Sequence, residues 1–294
     1  MRKDEREQQF TEELFRAGER VFRPMPWRPS QAKIGTARFD PYKILVSEIM
    51  LQQTQVDRVR GKYAEFMHMF PTVRALARAP LGDVLRAWSG LGYNRRAKYL
   101  HAAAQVIVRI HGGRFPRTYE ALTALPGIGR STAAGILAFA WNVEVPMIDT
   151  NIRRILGRVF PKARTMSDAE LFRFGIALIP KGRGRAWNYA MLDIGATLCT
   201  ARGHTAACPF SLLHGRIRAE PKLSTKKERF KDSRRYIRGK ILAQIARRGS
   251  IDRTRIRRIA PESPHDCEDI LRALADEGLI RLTPRRASLP VEVQ

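Results

Sequence analysis

Three cysteines in 294 residues (Cys199, Cys208 and Cys267) are too few for a disulfide framework, and they suit a reducing compartment. Long apolar runs are missing as well. The longest near the centre of the chain, Ala133 to Trp141, is far too short to cross a bilayer. The first ten residues, MRKDEREQQF, are charged and lack the apolar stretch of a signal peptide. The expected protein is therefore soluble and cytoplasmic, with no membrane partner. Alternating strand patterns are scarce, and there is no repeat at a solenoid period and no low-complexity tract. Acidic residues are also few. The chain has 28 Asp and Glu against 54 Lys and Arg, a formal net charge of +26. An excess of that size favours a polyanionic partner, with nucleic acid foremost. Hydrophobic residues still make up 44%, enough for globular cores.

What is present is helical periodicity. Amphipathic patterns occupy 4–22, 72–78, 81–88, 94–112, 118–124, 129–141, 149–159, 167–178 and 184–198. A long helical pattern over 41–68 has its candidate break at Gln53-Thr54. Pro24 to Pro29 then ends the first of these segments. Two glycine turns stand out: Gly90-Leu91-Gly92-Tyr93, and Leu125-Pro126-Gly127-Ile128-Gly129, which leads into Arg130. The second lies between a short helix and an apolar one, the outline of a helix-hairpin-helix near 118–137. Its glycines free backbone N–H groups for phosphate at a helix start.

Composition shifts after about residue 215. From Lys222 to Arg258 there are 15 Lys and Arg against 3 Asp and Glu. Residues 216–235 read as a basic linker. Helices at 236–248, 252–259 and 264–277, with Gly249 as a terminator and a basic hairpin at 278–286, predict a winged helix-turn-helix domain over 236–294.

Two carboxylates carry the candidate chemistry. Glu48 lies within Val46-Ser47-Glu48-Ile49-Met50-Leu51, where burial is expected to raise its pKa into the range of a proton donor. Asp149 precedes the basic helix that begins Asn151-Ile152-Arg153-Arg154 and fits an N-cap. The helix start and the nearby arginines are expected to keep it ionised. One protonated and one ionised carboxylate is a pairing used to cleave glycosidic bonds.

Five segments, VSEIMLQQTQVDRV (46–59), WSGLGYNRRAKYLHAAAQV (88–106), LPGIGRSTAAGIL (125–137), MIDTNIRRIL (147–156) and MLDIGATLC (191–199), resemble the helix-hairpin-helix DNA glycosylases of the endonuclease III superfamily. The nearest branch is the MutY-type adenine glycosylases. The resemblance spans about residues 10–215. It implies a mainly α, bilobed glycosylase domain over 1–215, acting as a monomer on double-stranded DNA that carries a mispaired or damaged base. By that resemblance Glu48 is the general acid for the departing base, Asp149 stabilises the cationic sugar, and Asn151 hydrogen-bonds within the site. Ser131 falls where the bifunctional branch has a Schiff-base lysine, which implies a monofunctional enzyme. Trp27 and Arg28 match residues near the adenine pocket. Gln53 and Tyr93 match residues inserted into the base stack, and Leu91 one beside the opposite purine. Asp193 matches an acid that reaches the flipped base, and Gly127, Gly129 and Arg130 form the phosphate-gripping hairpin.

Two departures from the family follow. The family's four cluster cysteines, Cys-x6-Cys-x2-Cys-x5-Cys, are reduced to Cys199 and Cys208, with His214 at the fourth position. The expectation over 199–215 is a degenerate loop with no iron–sulfur cluster and no metal. Arg202, His204 and Arg216 to Arg218 remain as candidate phosphate contacts there. The usual C-terminal β-domain that checks for 8-oxoguanine is replaced by the helical module. The expected activity is hydrolysis of adenine mispaired with guanine or 8-oxoguanine in base excision repair. The alternatives are excision of thymine, uracil or a modified purine on the same scaffold, and a non-catalytic DNA-binding protein.

Overall fold

Caps and breakers in the sequence set where the helices stop, and in the computed structural model their ends fall within a few residues of the periodic segments. The structure describes residues 3–35, 38–201, 203–205, 207–214, 233–256 and 265–290. The helices run α1 Lys3–Arg20, α2 Pro41–Leu51, α3 Val56–Met69, α4 Val73–Arg78, α5 Leu81–Ala87, α6 Arg95–Arg109, α7 Tyr119–Thr123 and α8 Arg130–Trp141. They continue with α9 Thr150–Val159, α10 Asp168–Ala177 and α11 Gly184–Thr197, after which a two-residue ladder pairs β1 Cys199–Thr200 with β2 Gly203–His204. The C-terminal elements are α12 Arg234–Arg248, β3 Ser250–Asp252, α13 Arg253–Ile256, α14 Cys267–Asp276, β4 Arg281–Leu282 and β5 Arg286–Ser288. The described part is mainly α, and none of its helices is long and apolar enough to cross a membrane.

The chain divides into two compact units. The first comprises Met1–Glu48, Arg117–Ala124 and Ile128–Lys222. Its core joins α1, α9 and α11, with Phe10, Leu14, Ile152, Leu156, Trp187 and Met191 all fully buried. Phe10 meets Phe160 and Phe210 at centroid distances of 5.3 and 5.0 Å. Such ring pairs add to the area term when a core closes. α10 starts on a capping box, in which Ser167 and Glu170 satisfy each other's backbone N–H groups.

The second unit comprises Ile49–Pro116, Leu125–Gly127 and the C-terminal segment from Leu223. Here α6 packs on α4 and α5, and Phe66, Phe70 and Trp88 form an edge-to-face cluster. The C-terminal elements bury Ile237, Ile241, Ile245, Ile270, Leu271, Leu274 and Ala287, and α12 rests on α5.

The 41–68 pattern is two helices that break where the sequence places the break, at Gln53-Thr54, and Gln53 takes a positive φ of 54° between them. Strand β3, whose Ile251 is buried between half-buried neighbours, precedes the helix expected over 252–259 and takes its first residue. Only α13 follows within the described residues, and 257–264 lie outside them. β3 pairs antiparallel with β5, and β5 with β4, giving the sheet order β3-β5-β4. The basic hairpin therefore acquires a third strand that the sequence pattern, three residues long, does not announce. Most of the 216–235 segment, together with Arg202 and residues 216–218, lies outside the described residues.

Candidate active site

The hairpin between α7 and α8 alternates burial and exposure. Leu125 and Ile128 are buried anchors, whereas Gly127, Gly129 and Arg130 are exposed. Gly127 has φ +73°, and a Cβ there would lie 2.5 Å from Tyr99 Cβ, so glycine is required on two counts. Gly129 differs. Its backbone is extended, and a Cβ would meet nothing within 4 Å. No side chain caps α8 and no acid occupies its first turn, so its leading N–H groups are suited to an anion.

Glu48 lies on α2, 7% exposed. The close approach of α8 comes from Gly135, where a Cβ would sit 3.1 Å from Glu48 Oε2. Burial pushes the Glu48 carboxyl up to about 7, and the charge of Asp149 adds to this while that of Arg28 opposes it. The expected raised pKa is therefore present, and burial is its main cause.

Asp149 is the N-cap of α9. Its Oδ1 accepts the N–H groups of Asn151 and Ile152 at 2.9 and 2.8 Å, and its Oδ2 accepts the Asn151 side-chain amide at 2.9 Å. Arg154 donates in turn to Asn151 Oδ1 at 2.7 Å. These contacts fix the orientation of the carboxylate. They do not hold its pKa at the ordinary value: burial raises it, and the helix N–H groups, Asn151 and Arg154 offset only part of that rise. Asp149 and Ser131 line one cavity of about 720 Å³ with Tyr119, Arg130, Arg153 and Arg173. Glu48 does not line it, but it is close enough to Asp149 for charge to couple the two.

Arg28 and Asp193 form a buried ion pair, with Nη1 at 2.9 and 2.8 Å from the two carboxylate oxygens. The Arg23 backbone N–H donates to the same carboxylate at 3.1 Å, and the Arg28 guanidinium stands 4.4 Å from the Tyr189 ring centroid. Asp193, expected to reach a flipped base, is 1% exposed and already bonded, so its structural role is to hold Arg28. Trp27 is likewise buried, at 6% exposure.

Cys199, Cys208 and His214 converge, with their ligating atoms all within 4.8 Å of one another. Arg158 donates to Cys199 Sγ at 3.2 Å and to Thr200 O at 2.9 Å. Bonding from Cys208, His214 and Arg158 pulls the Cys199 thiol down, against the opposing effect of burial. Two thiols and one imidazole, with a guanidinium on one sulfur, do not fit a four-iron cluster. The third cysteine of the sequence, Cys267, is on α14 in the other unit.

Residues 46–177 match the profile of the HhH-GPD superfamily of base excision DNA repair proteins. The protein named adenine DNA glycosylase from Mycolicibacterium smegmatis is 37% identical over 225 residues, covering 75% of this chain and 74% of that one. The chain belongs to the HhH-GPD superfamily of base excision DNA repair proteins. The adenine DNA glycosylase of Mycobacterium tuberculosis is 39% identical over 188 residues, covering 63% of this chain but 60% of that one. Among solved structures, a thermostable thymine-DNA glycosylase superposes with a TM-score of 0.66 at 26% identity, covering 72% of this chain and 96% of that one.

In this HhH-GPD chain the structure thus gathers Glu48, Asp149, Asn151, Ser131 and Arg28 in the first unit. Gln53, Leu91 and Tyr93 belong to the second. Tyr93 is exposed at φ +47°, whereas Leu91 is 2% exposed beneath the groove that it lines with Gln53 and Tyr93. Sequence reasoning missed Arg96. This buried side chain donates to the carbonyls of Ile49, Met50, Gln52, Leu91 and Gly92 and to Thr54 Oγ1. It ties the Gln53 turn to the Tyr93 turn. Its signal was an arginine just after a glycine turn, where carbonyls are left without helix partners.

Proposed function

We propose that this chain is a monofunctional DNA N-glycosylase that removes adenine mispaired with guanine or 8-oxoguanine, leaving an abasic site. The observation that carries the reading is the pair Glu48 and Asp149: one acid near neutrality through burial, the other oriented by a helix start and Asn151. Family membership and the names of the Mycolicibacterium and Mycobacterium relatives support adenine as the base.

In this reading the α7–α8 hairpin holds a DNA phosphate and the target base leaves the stack, since its glycosidic bond cannot be attacked there. Protonated Glu48 gives its proton to the departing base as the C–N bond breaks. Asp149 stabilises the positive charge that develops on the sugar, and water adds to the sugar carbon and loses a proton to complete hydrolysis. Serine at 131 offers no amine for an imine with the sugar, so strand cleavage by that route is not expected. Among the described residues the C-terminal elements run helix–strand–helix–helix–strand–strand, which supports reading them as a winged-helix module. Arg158 holds the loop around Cys199, which supports a reading without an iron–sulfur cluster.

The test is a panel of duplexes with adenine, thymine or uracil opposite guanine, 8-oxoguanine or cytosine, treated with alkali to reveal abasic sites. Adenine release followed by alkali-dependent cleavage supports the reading. Preferential thymine release would assign the chain to the specificity of its 26%-identical structural neighbour instead. Borohydride trapping of a covalent protein–DNA adduct would overturn the monofunctional assignment. Iron in the purified protein would overturn the assignment without a cluster.

A further inference from the structure

A groove in the second unit is left unexplained by base release. It encloses about 490 Å³ between the Gly90–Asn94 turn and α12, and its lining includes Gln53, Arg58, Tyr93, Arg235, Tyr236 and Lys240. Three of the described lining residues are cationic and none is acidic. Gln53 and Tyr93 are two of the three non-glycine residues with positive φ among the described residues. Backbone held in that region costs energy and marks sites where geometry matters. Tyr93 is 37% exposed, and two guanidiniums flank its ring, Arg96 at 5.4 Å and Arg235 at 5.1 Å from the centroid. Arg235 also donates to the Tyr93 hydroxyl. The helix of the C-terminal module therefore orients an aromatic face on the neighbouring turn. An aromatic face beside exposed cations is a surface for a nucleotide, with base on ring and phosphate on charge.

Charge then decides which helix of the module faces DNA. In the usual winged-helix arrangement the third helix enters the major groove. Here that helix, α14, carries one arginine against Glu268, Asp269 and Asp276, so it repels phosphate. Glu268 on α14 pairs with Arg253, and Glu277 just after the helix pairs with Arg238, which leaves Asp269 and Asp276 against Arg272. α12, the first helix, carries six Lys and Arg and no acid. Arg235 and Lys240 on it are exposed and point to the groove.

We propose that the C-terminal module grips DNA through α12 and not through α14, with Arg235 and Lys240 on backbone phosphates of the nucleotide whose base lies against Tyr93. The proposal rests on the reading of the chain as a DNA glycosylase.

The experiment measures binding of the full-length chain to a labelled duplex by fluorescence anisotropy across a salt series, with thermal melts as a folding control. Arg235→Gln and Lys240→Gln should each flatten the slope of log affinity against log salt by about 0.9 and weaken binding about fivefold at 0.15 M salt. The double variant should lose about 1.8 from the slope. Arg272→Gln on α14 should leave it unchanged. Lys240 is exposed, with its ammonium 5.1 Å from the Tyr236 ring centroid, so its variant keeps the test valid even where Arg235→Gln melts early. A wild-type slope in Lys240→Gln, or equal flattening by Arg272→Gln, would overturn the proposal. Binding does not require base release, so the two readings fail separately. A wild-type chain that shows these slopes but releases no adenine sinks only the glycosylase reading. A double variant with unchanged slope that still releases adenine sinks only this one.

Discussion

Glu48 and Arg96 are both buried charged side chains close to a turn, and they are treated in opposite ways. Arg96, 8% exposed, has backbone carbonyls on every side, so its charge is spent on rigid bonding between two turns. Glu48, 7% exposed, feels Arg28 and Asp149 through charge alone, while burial works against its ionised form. The first arrangement makes a scaffold and the second leaves a proton in play. Burial lowers Arg96 too, to about 10, but a guanidinium at that value remains charged at neutral pH. The same physical force therefore has a chemical consequence only at the carboxyl.

The sharpest break of this contrast is Glu48→Gln. The amide keeps the shape and removes the proton, so single-turnover base release should fall by about 10³-fold or more, within the range of general acid catalysis. Duplex affinity measured by anisotropy should stay within about twofold of wild type. Turnover near the wild-type rate would end the assignment of Glu48 as the acid.

Arg96→Met should act through stability instead. Leaving these backbone carbonyls without their donor costs about 3–5 kcal/mol, read as a lower denaturation midpoint. A folded variant with unaltered stability would show that the two turns do not depend on it.

Asp149 combines the two behaviours, and two substitutions separate them. Asn caps a helix almost as well as Asp, so Asp149→Asn should keep the melting temperature and lose about 10²-fold in rate. Asp149→Ala should lose the rate and also about 1 kcal/mol of stability, because the N–H groups of Asn151 and Ile152 lose their acceptor. Equal melting of the two variants would remove the cap from the account.

Much of the fold was legible because helix signals are local. The cap at Asp149, the turn at Gly127 and the apolar faces each declare themselves within a few residues. The raised pKa of Glu48 could be read from Val46-Ser47-Glu48-Ile49-Met50-Leu51, since that density of apolar neighbours leaves a carboxyl nowhere to be solvated. The unread parts depend on distant partners. β3 exists because Ser250 and Asp252 pair with Ser288 and Arg286, residues more than thirty positions away. Asp193 was assigned to the base by family pattern, yet Arg28, 165 residues away, claims it. Arg96 was missed because its value lies in carbonyls that only the folded turns bring together.

The gentlest test of the contrast changes only the pH. Because Glu48 titrates at about 7, it is protonated below that value and ready to donate, and it ionises above it. The single-turnover rate should be flat on the acid side until other groups titrate, then fall about tenfold per pH unit on the alkaline side. Stability follows the same sign. The folded pKa lies above the ordinary carboxyl value, so the folded state binds the extra proton and loses stability as pH rises from about 4.5 toward 7. Glu48→Gln cannot ionise, so its melting temperature should overtake that of the wild type at alkaline pH and converge with it in acid. Arg96→Met should show a pH-independent offset from wild type across the same range, because its guanidinium remains charged throughout. Parallel curves for the two variants would erase the distinction between a buried charge that builds and one that reacts.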